Sequence, residues 1–264
     1  MNIFLHELKA YRKSLIIWSC SMAALSSLYI IMFSGIQSDI ENFKNLLKSM
    51  PEGVRRLLGI YIDSISTLEG FYSFVFVYVV LCGAIQAMNL GLSVVSKELR
   101  DKTADFLLTK PVSREKILTS KLLAALTSLM ITNLIYLAIT VLMTLTVKSE
   151  FSMKIFLMIS VTLFFVQLIF MALGVLVSVI VGKIRSVISI SLSTVFGFFI
   201  ISMLSSVIGE KTVRYISPFK YFDLEYIVKN GAYESKFIII EIIFIIISVA
   251  ASYVIYMKKD IHAV

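Results

Sequence analysis

A chain of 264 residues with 58% apolar residues, 19 Phe and a mean hydropathy of +0.91 is not an ordinary soluble globule. Its formal charge of +8 would suggest nucleic acid in a soluble chain, but the Lys and Arg lie between apolar runs, where orientation against anionic lipid accounts for them and nucleic acid is not expected. Only Cys20 and Cys82 occur, both inside apolar runs, which excludes a disulfide framework and a cysteine metal site. A multi-pass protein in the lipid bilayer is expected.

In chain order, residues 2–13 place Phe4, Leu8 and Tyr11 at helical spacing, continued by Leu15, with Glu7, Lys9, Arg12 and Lys13 on the other side. This pattern predicts an amphipathic helix in the interface before the first span. That span, residues 15–36, is about the ~20 residues needed to cross and has no obvious cleavage site, so it reads as uncleaved. An outer loop over 37–70 carries Ile40, Phe43, Leu47 and Met50, a stop at Pro51, then Val54, Leu57 and Leu58, which predicts one or two surface helices. Further spans are expected at 71–95, 122–147, 155–181, 187–208 and 237–257. A polar stretch over 97–121 divides the second and third, and a second outer loop covers 209–236.

Six spans place both termini on one side. That side holds 14 Lys and Arg against 11 opposite, and 6 acidic residues against 10, for net charges of +8 and +1. Its loops are also shorter, so its positive density is higher and both termini are expected in the cytoplasm. Small residues recur four apart at Ser19, Ala23 and Ser27; Gly83, Ala87 and Gly91; Gly174, Ser178 and Gly182; and Ser189, Ser193 and Gly197. Such stripes mark helix contacts, either within a bundle or at a seam between subunits.

Catalysis finds little to work with. His6 and His262 stand at opposite ends, no HExxH pair exists, and Gly182-Lys183 lacks the rest of a phosphate-binding loop, so the chain is not expected to be an enzyme. Gln86, Asn89, Asn133 and Gln167 lie inside spans, where amides either tie helices together or line a substrate path. Glu241, near the outer end of the last span, is expected to snorkel or to pair with Lys236 rather than relay protons.

The stretch over 97–121 is the longest polar interruption on the terminal side. A helix-compatible segment ends at Pro111, Ser113 can cap a new helix, and Glu115 falls in its first turn. The result is a helix-turn-helix elbow with Leu107, Leu108 and Val112 near its tip, an apolar surface suited to a partner's groove.

The run Glu98, Lys102-Thr103, Phe106-Leu107-Leu108, Pro111-Val112-Ser113-Arg114, Ile117 and Lys121 resembles the pattern in permease subunits of ABC-2 type ATP-binding cassette exporters, with Lys102 where a Gly is common. Ile216 to Asp223, ISPFKYFD, and the closing KKDIHAV resemble the Gram-positive bacterial branch. The resemblance covers essentially the whole chain. It implies an all-α integral membrane protein of the type V exporter kind, with six transmembrane helices and an N-terminal interfacial helix, in the bacterial plasma membrane. It also implies pairing with a second permease copy or a paralogue, and a separate ABC ATPase that binds ATP and Mg, with no cofactor held by this chain. The elbow would be the coupling element. Glu98 and Arg114 would anchor it, Leu107, Leu108 and Val112 would fill the ATPase groove, Pro111 would fix the turn and Ser113 would cap the helix that follows. The function implied is ATP-driven export of an amphipathic or membrane-partitioning compound. A scaffold or sensor holding a soluble partner, or a stand-alone secondary carrier, are the alternatives.

Overall fold

The computed structural model describes residues 3–58, 60, 62, 64–100, 112–147, 151–181, 184–208 and 214–258. Six long helices, α1 (Ile3–Ile36), α4 (Leu68–Arg100), α5 (Arg114–Thr144), α6 (Met153–Val181), α7 (Val187–Ile208) and α9 (Ser235–Lys258), are long and apolar enough to cross a membrane. The Ile-rich α9 would favour a strand in water, but in hydrocarbon each backbone N–H and C=O must be satisfied within its own segment, and the helix does that. The six helices lie close to the six expected spans, and the all-α membrane architecture is as expected.

The N-terminus differs in detail. Residues 3–36 form one unbroken helix of 34 residues, so the interfacial helix at 2–13 is not a separate element. No proline or glycine interrupts the chain before Gly35, and nothing stops helix propagation at the membrane edge. Glu7 also lies on the buried face with Tyr11, four residues on, rather than on the polar face with the exposed Lys9, Arg12 and Lys13.

Short elements close the other end of the bundle. Helices α2 (Ile40–Ser49) and α3 (Glu52–Leu58) are divided at Met50-Pro51, where the missing proline N–H and the restricted residue before it end one helix and begin the next. Leu47 of α2 is buried, and α3 packs on α7. The segment 214–223 folds back into the bundle. The Ser217 hydroxyl donates to the Phe198 carbonyl at 2.9 Å, and Phe219 lies 5.2 Å from Phe170, ring to ring. Phe198 and Phe170 stand near the middle of α7 and α6, so this is a re-entrant turn. It is followed by α8 (Leu224–Asn230), capped at its start by the Asp223 carboxylate and ended by Gly231 at φ +57, where a left-handed backbone suits glycine.

Helix α4 is the hub and packs on α6, α1, α7 and α5; α1 lies along α5, and α9 lies along α6. Two-thirds of α4's apolar window (67%) is buried, against 17% for α9, so α9 presents most of its surface outward. The α4–α6 contact is set by glycine. A Cβ on Gly174 would come within 2.8 Å of the Met88 carbonyl oxygen and 3.1 Å of the Gly91 Cα, and a Cβ on Gly91 would collide with the Met171 carbonyl. The stripe in α1 is buried as well, at Ser19, Ala23 and Ser27. The stripe in α7 is not an internal contact. Ser189 and Ser193 are exposed, a Cβ on Gly197 would meet nothing within 4 Å among the described residues, and the inward face is instead Val187, Ser191 and Val195.

Replacing Gly91 or Gly174 by Val should force α4 and α6 apart at a cost of about 1–3 kcal/mol or more. Thermal unfolding in detergent should show a clear drop for either variant, while Gly197→Ala should leave the midpoint unchanged or slightly raised.

Candidate functional site

Residues 101–111 of the expected elbow lie outside the described residues, and its two flanks, or roots, are helical. Helix α4 continues to Arg100, past the expected end of its span at 95, and α5 begins at Arg114 with Ser113 as its cap, the Ser113 hydroxyl accepting from the Lys116 N–H at 3.3 Å. Glu115 sits in the first turn, where the helix dipole favours a carboxylate. Val112 and Arg114 are half-buried. Leu107, Leu108 and Pro111 lie outside the described residues, as does the side chain of Glu98.

Where these roots meet the bundle, there is an ion cluster that the sequence pattern did not reveal. Glu7 of α1 stands between Lys97 near the end of α4 and Lys121 in α5, at 3.4 Å and 3.9 Å. Lys121 is 2% exposed and donates to the Val94 carbonyl of α4 at 2.8 Å. The Lys97 ammonium also lies 6.0 Å from the centre of the Tyr11 ring. The two lysines bracket the elbow, and one carboxylate on the first helix holds both. The available signal was the spacing of Glu7 and Tyr11, four apart and so on one helix face. On the far side of α5, the Thr119 hydroxyl meets the Tyr253 hydroxyl at 2.7 Å and ties the same root to α9.

Three of the four amides are brought together in the middle of the bundle. Asn133 donates to the Gln167 side-chain oxygen at 2.5 Å, Gln167 donates to that of Gln86 at 3.1 Å, and Gln86 donates to the Thr132 hydroxyl at 3.0 Å. All are buried, so α4, α5 and α6 are joined at one level. Among the described residues, the Asn133 oxygen has no hydrogen-bond partner. Asn89 stands apart and accepts from the Ser191 hydroxyl of α7 at 2.7 Å. In this arrangement the amides tie helices to one another.

A second polar group lies nearer the loop end. The Tyr72 hydroxyl bonds the Tyr136 hydroxyl and approaches Ser160 at 3.2 Å, again joining α4, α5 and α6. Glu69, in the first turn of α4, accepts from the Ser152 N–H just ahead of α6. Glu241 is buried on the inner face of α9 with Phe237, and its expected pairing with Lys236 is not formed. Positions five apart lie about 140° around a helix, and Lys236 instead covers the Phe237 and Tyr215 rings at 4.9 Å and 5.9 Å.

Removing the carboxylate from a buried ammonium is the costly half of breaking an ion pair. Glu7→Gln should destabilise the bundle by about 3 kcal/mol. Glu7→Gln combined with Lys121→Met should recover part of that loss, a non-additivity that thermal unfolding of the single and double variants will measure.

In a comparison against known families, residues 1–261 match the family described as ABC-2 family transporter protein. No curated protein matches the chain in sequence. With nearly the whole chain matched, and six spans where the family is the membrane component of its transporters, the chain belongs to the ABC-2 transporter family.

Proposed function

We propose that the chain is the transmembrane permease subunit of an exporter driven by a separate ATP-binding cassette ATPase, and that it moves an amphipathic or membrane-partitioning compound outward. The family match over residues 1–261 on a six-span bundle carries this reading. The ATPase supplies the sites for ATP and Mg; this chain supplies the coupling elbow, with Glu98 and Arg114 as anchors, Leu107, Leu108 and Val112 as the contact tip, Pro111 at the turn and Ser113 as the cap. Both termini face the cytoplasm of a bacterial cell, in keeping with the denser positive charge on their side. The clustering of Glu7, Lys97 and Lys121 at the elbow's base supports coupling, because a push on the elbow acts on α1, α4 and α5 together. Gln86, Asn89, Asn133 and Gln167 serve a substrate path only if the helices they join separate during the cycle.

A second permease copy completes the transporter, seated on the outward stripe of α7. Small residues at Ser189, Ser193 and Gly197, with nothing packed over Gly197 among the described residues, suit close approach by another helix.

Leu108→Asp with Val112→Asp should cut co-purification of the partner ATPase at least tenfold and abolish substrate-stimulated ATP hydrolysis after reconstitution. Retention of both would overturn the coupling role and favour a scaffold or a secondary carrier. Gly197→Leu should lower the cross-linked dimer fraction in membranes while leaving the chain's own thermal midpoint in place; an unchanged dimer fraction would move the seam elsewhere.

A further inference from the structure

Beneath the re-entrant turn lies a cavity of about 110 Å³, of the same order as the ~150 Å³ apolar cavity that takes up benzene. Its walls are mostly hydrocarbon: Phe76 and Val80 from α4, Val166 from α6, Phe199 and Met203 from α7, and Phe219 from the turn itself. Tyr78, 37% exposed, also belongs to the wall, so the cavity reaches the outer surface of the bundle. Its size admits one ring or a short stretch of a single chain, the remainder of which would leave through the opening at Tyr78.

The charges around it are Lys220, Asp223 and Glu225 in the wall, with Arg214, Lys229 and Glu234 on the adjoining turn and helix. Most are committed. Arg214 holds Glu234 through two guanidinium nitrogens and donates to the Lys220 backbone carbonyl at 2.9 Å. Glu225 is paired with Lys229. Asp223 accepts the Glu225 and Tyr226 N–H groups at the start of α8, at 3.0 Å and 3.3 Å. Among the described residues, no carboxylate lies within ion-pair distance of the half-buried Lys220. Burial pulls its ammonium below the usual lysine range; Asp223 opposes that shift and Arg214 adds to it. A half-buried cation on which Asp223 acts only from beyond ion-pair distance is incompletely compensated, and an incoming anion relieves it.

We infer that this cavity is a binding site for a single-chain amphiphile with an anionic headgroup, a carboxylate or a phosphate, whose chain lies against Phe76, Val166 and Phe199 and whose charge Lys220 holds. The inference goes beyond the transport reading: it concerns binding by this chain alone and stands or falls whether or not an ATPase acts on it.

The test uses the full chain in phosphatidylcholine nanodiscs and a long-chain fatty acid carrying a diazirine on the carbons next to its carboxylate. Photolabelling should saturate and map to the peptides holding Phe76 to Val80 and Phe199 to Met203. Unlabelled fatty acid or lysophosphatidic acid should displace it, the better competitor telling carboxylate from phosphate, and hexadecyltrimethylammonium should not. Lys220→Gln should weaken binding about tenfold, and Lys220→Arg should retain it. Val80→Trp, which fills the cavity without touching the charge, should abolish labelling at those peptides. Full-strength labelling of Lys220→Gln, equal displacement by the cationic amphiphile, equal loss in Lys220→Arg at an unchanged thermal midpoint, or labelling that survives Val80→Trp would each overturn the inference.

Discussion

The approach of α4 and α6 at Gly91 and Gly174 is the constraint on which the rest of the bundle depends. In a bilayer, lipid tails are as apolar as Leu, so helices are not driven together by removing hydrocarbon from water; close packing and polar contacts must do it. With no side chain at Gly91 or Gly174, backbone meets backbone, and one to two turns away Gln86 and Gln167 come within hydrogen-bond reach. Gly83 makes the same point from the other direction: a Cβ there would sit 3.0 Å from the Gln167 amide nitrogen. The amide cluster is therefore a consequence of the glycine contact as much as a support for it.

Polar contacts then recur at three levels along the hub. The tyrosine pair with Ser160 lies toward the loop end, the amides lie at mid-bundle, and Glu7 with its two lysines lies at the elbow's base. Each level joins α4 to α5, and between them they also take in α6 and α1. A polar group in hydrocarbon is costly without a partner, so each cluster penalises sliding or rotation of one helix against its neighbours. The three levels fix register where hydrophobic packing alone would be permissive.

Features set by local chemistry were legible in the sequence. Ser113 caps α5 and Pro51 divides α2 from α3 because each acts on its own backbone neighbours. The six spans followed from length and apolarity, which the bilayer enforces. Features set by which helix lies beside which were not. Glu7 was placed with Lys9 and Arg12 because charge suggested a wet face, yet its partner Lys121 comes from a helix more than a hundred residues away. ISPFKYFD read as part of an outer loop, although its Phe219 and Phe222 find Phe170 and Phe165 inside the bundle. The four amides were identified as costly residues, but their division into a trio and the Asn89–Ser191 pair depends on helix neighbours that spacing cannot supply.

Helix α4 connects the two ends of the molecule physically. It runs as one piece of 33 residues from Leu68 to Arg100, with Phe76 and Val80 in the cavity wall and Lys97 in the ion cluster. A helix without a proline or a non-helical break moves as a rod over this length, and its glycines at 83 and 91 are held by α6 rather than free to bend. A displacement of α4 must therefore either carry α5 and α6 along, preserving the glycine contact and the amides, or break both. Carrying α6 along shifts Phe76, Val80 and Val166 together against α7 and the re-entrant turn, the boundary where Phe199 and Lys220 stand. The joints that can give are those between the α4–α6 pair and α7, where Asn89 and Ser191 make the polar contact. Opening at that boundary changes the shape of the cavity while leaving the buried polar core intact.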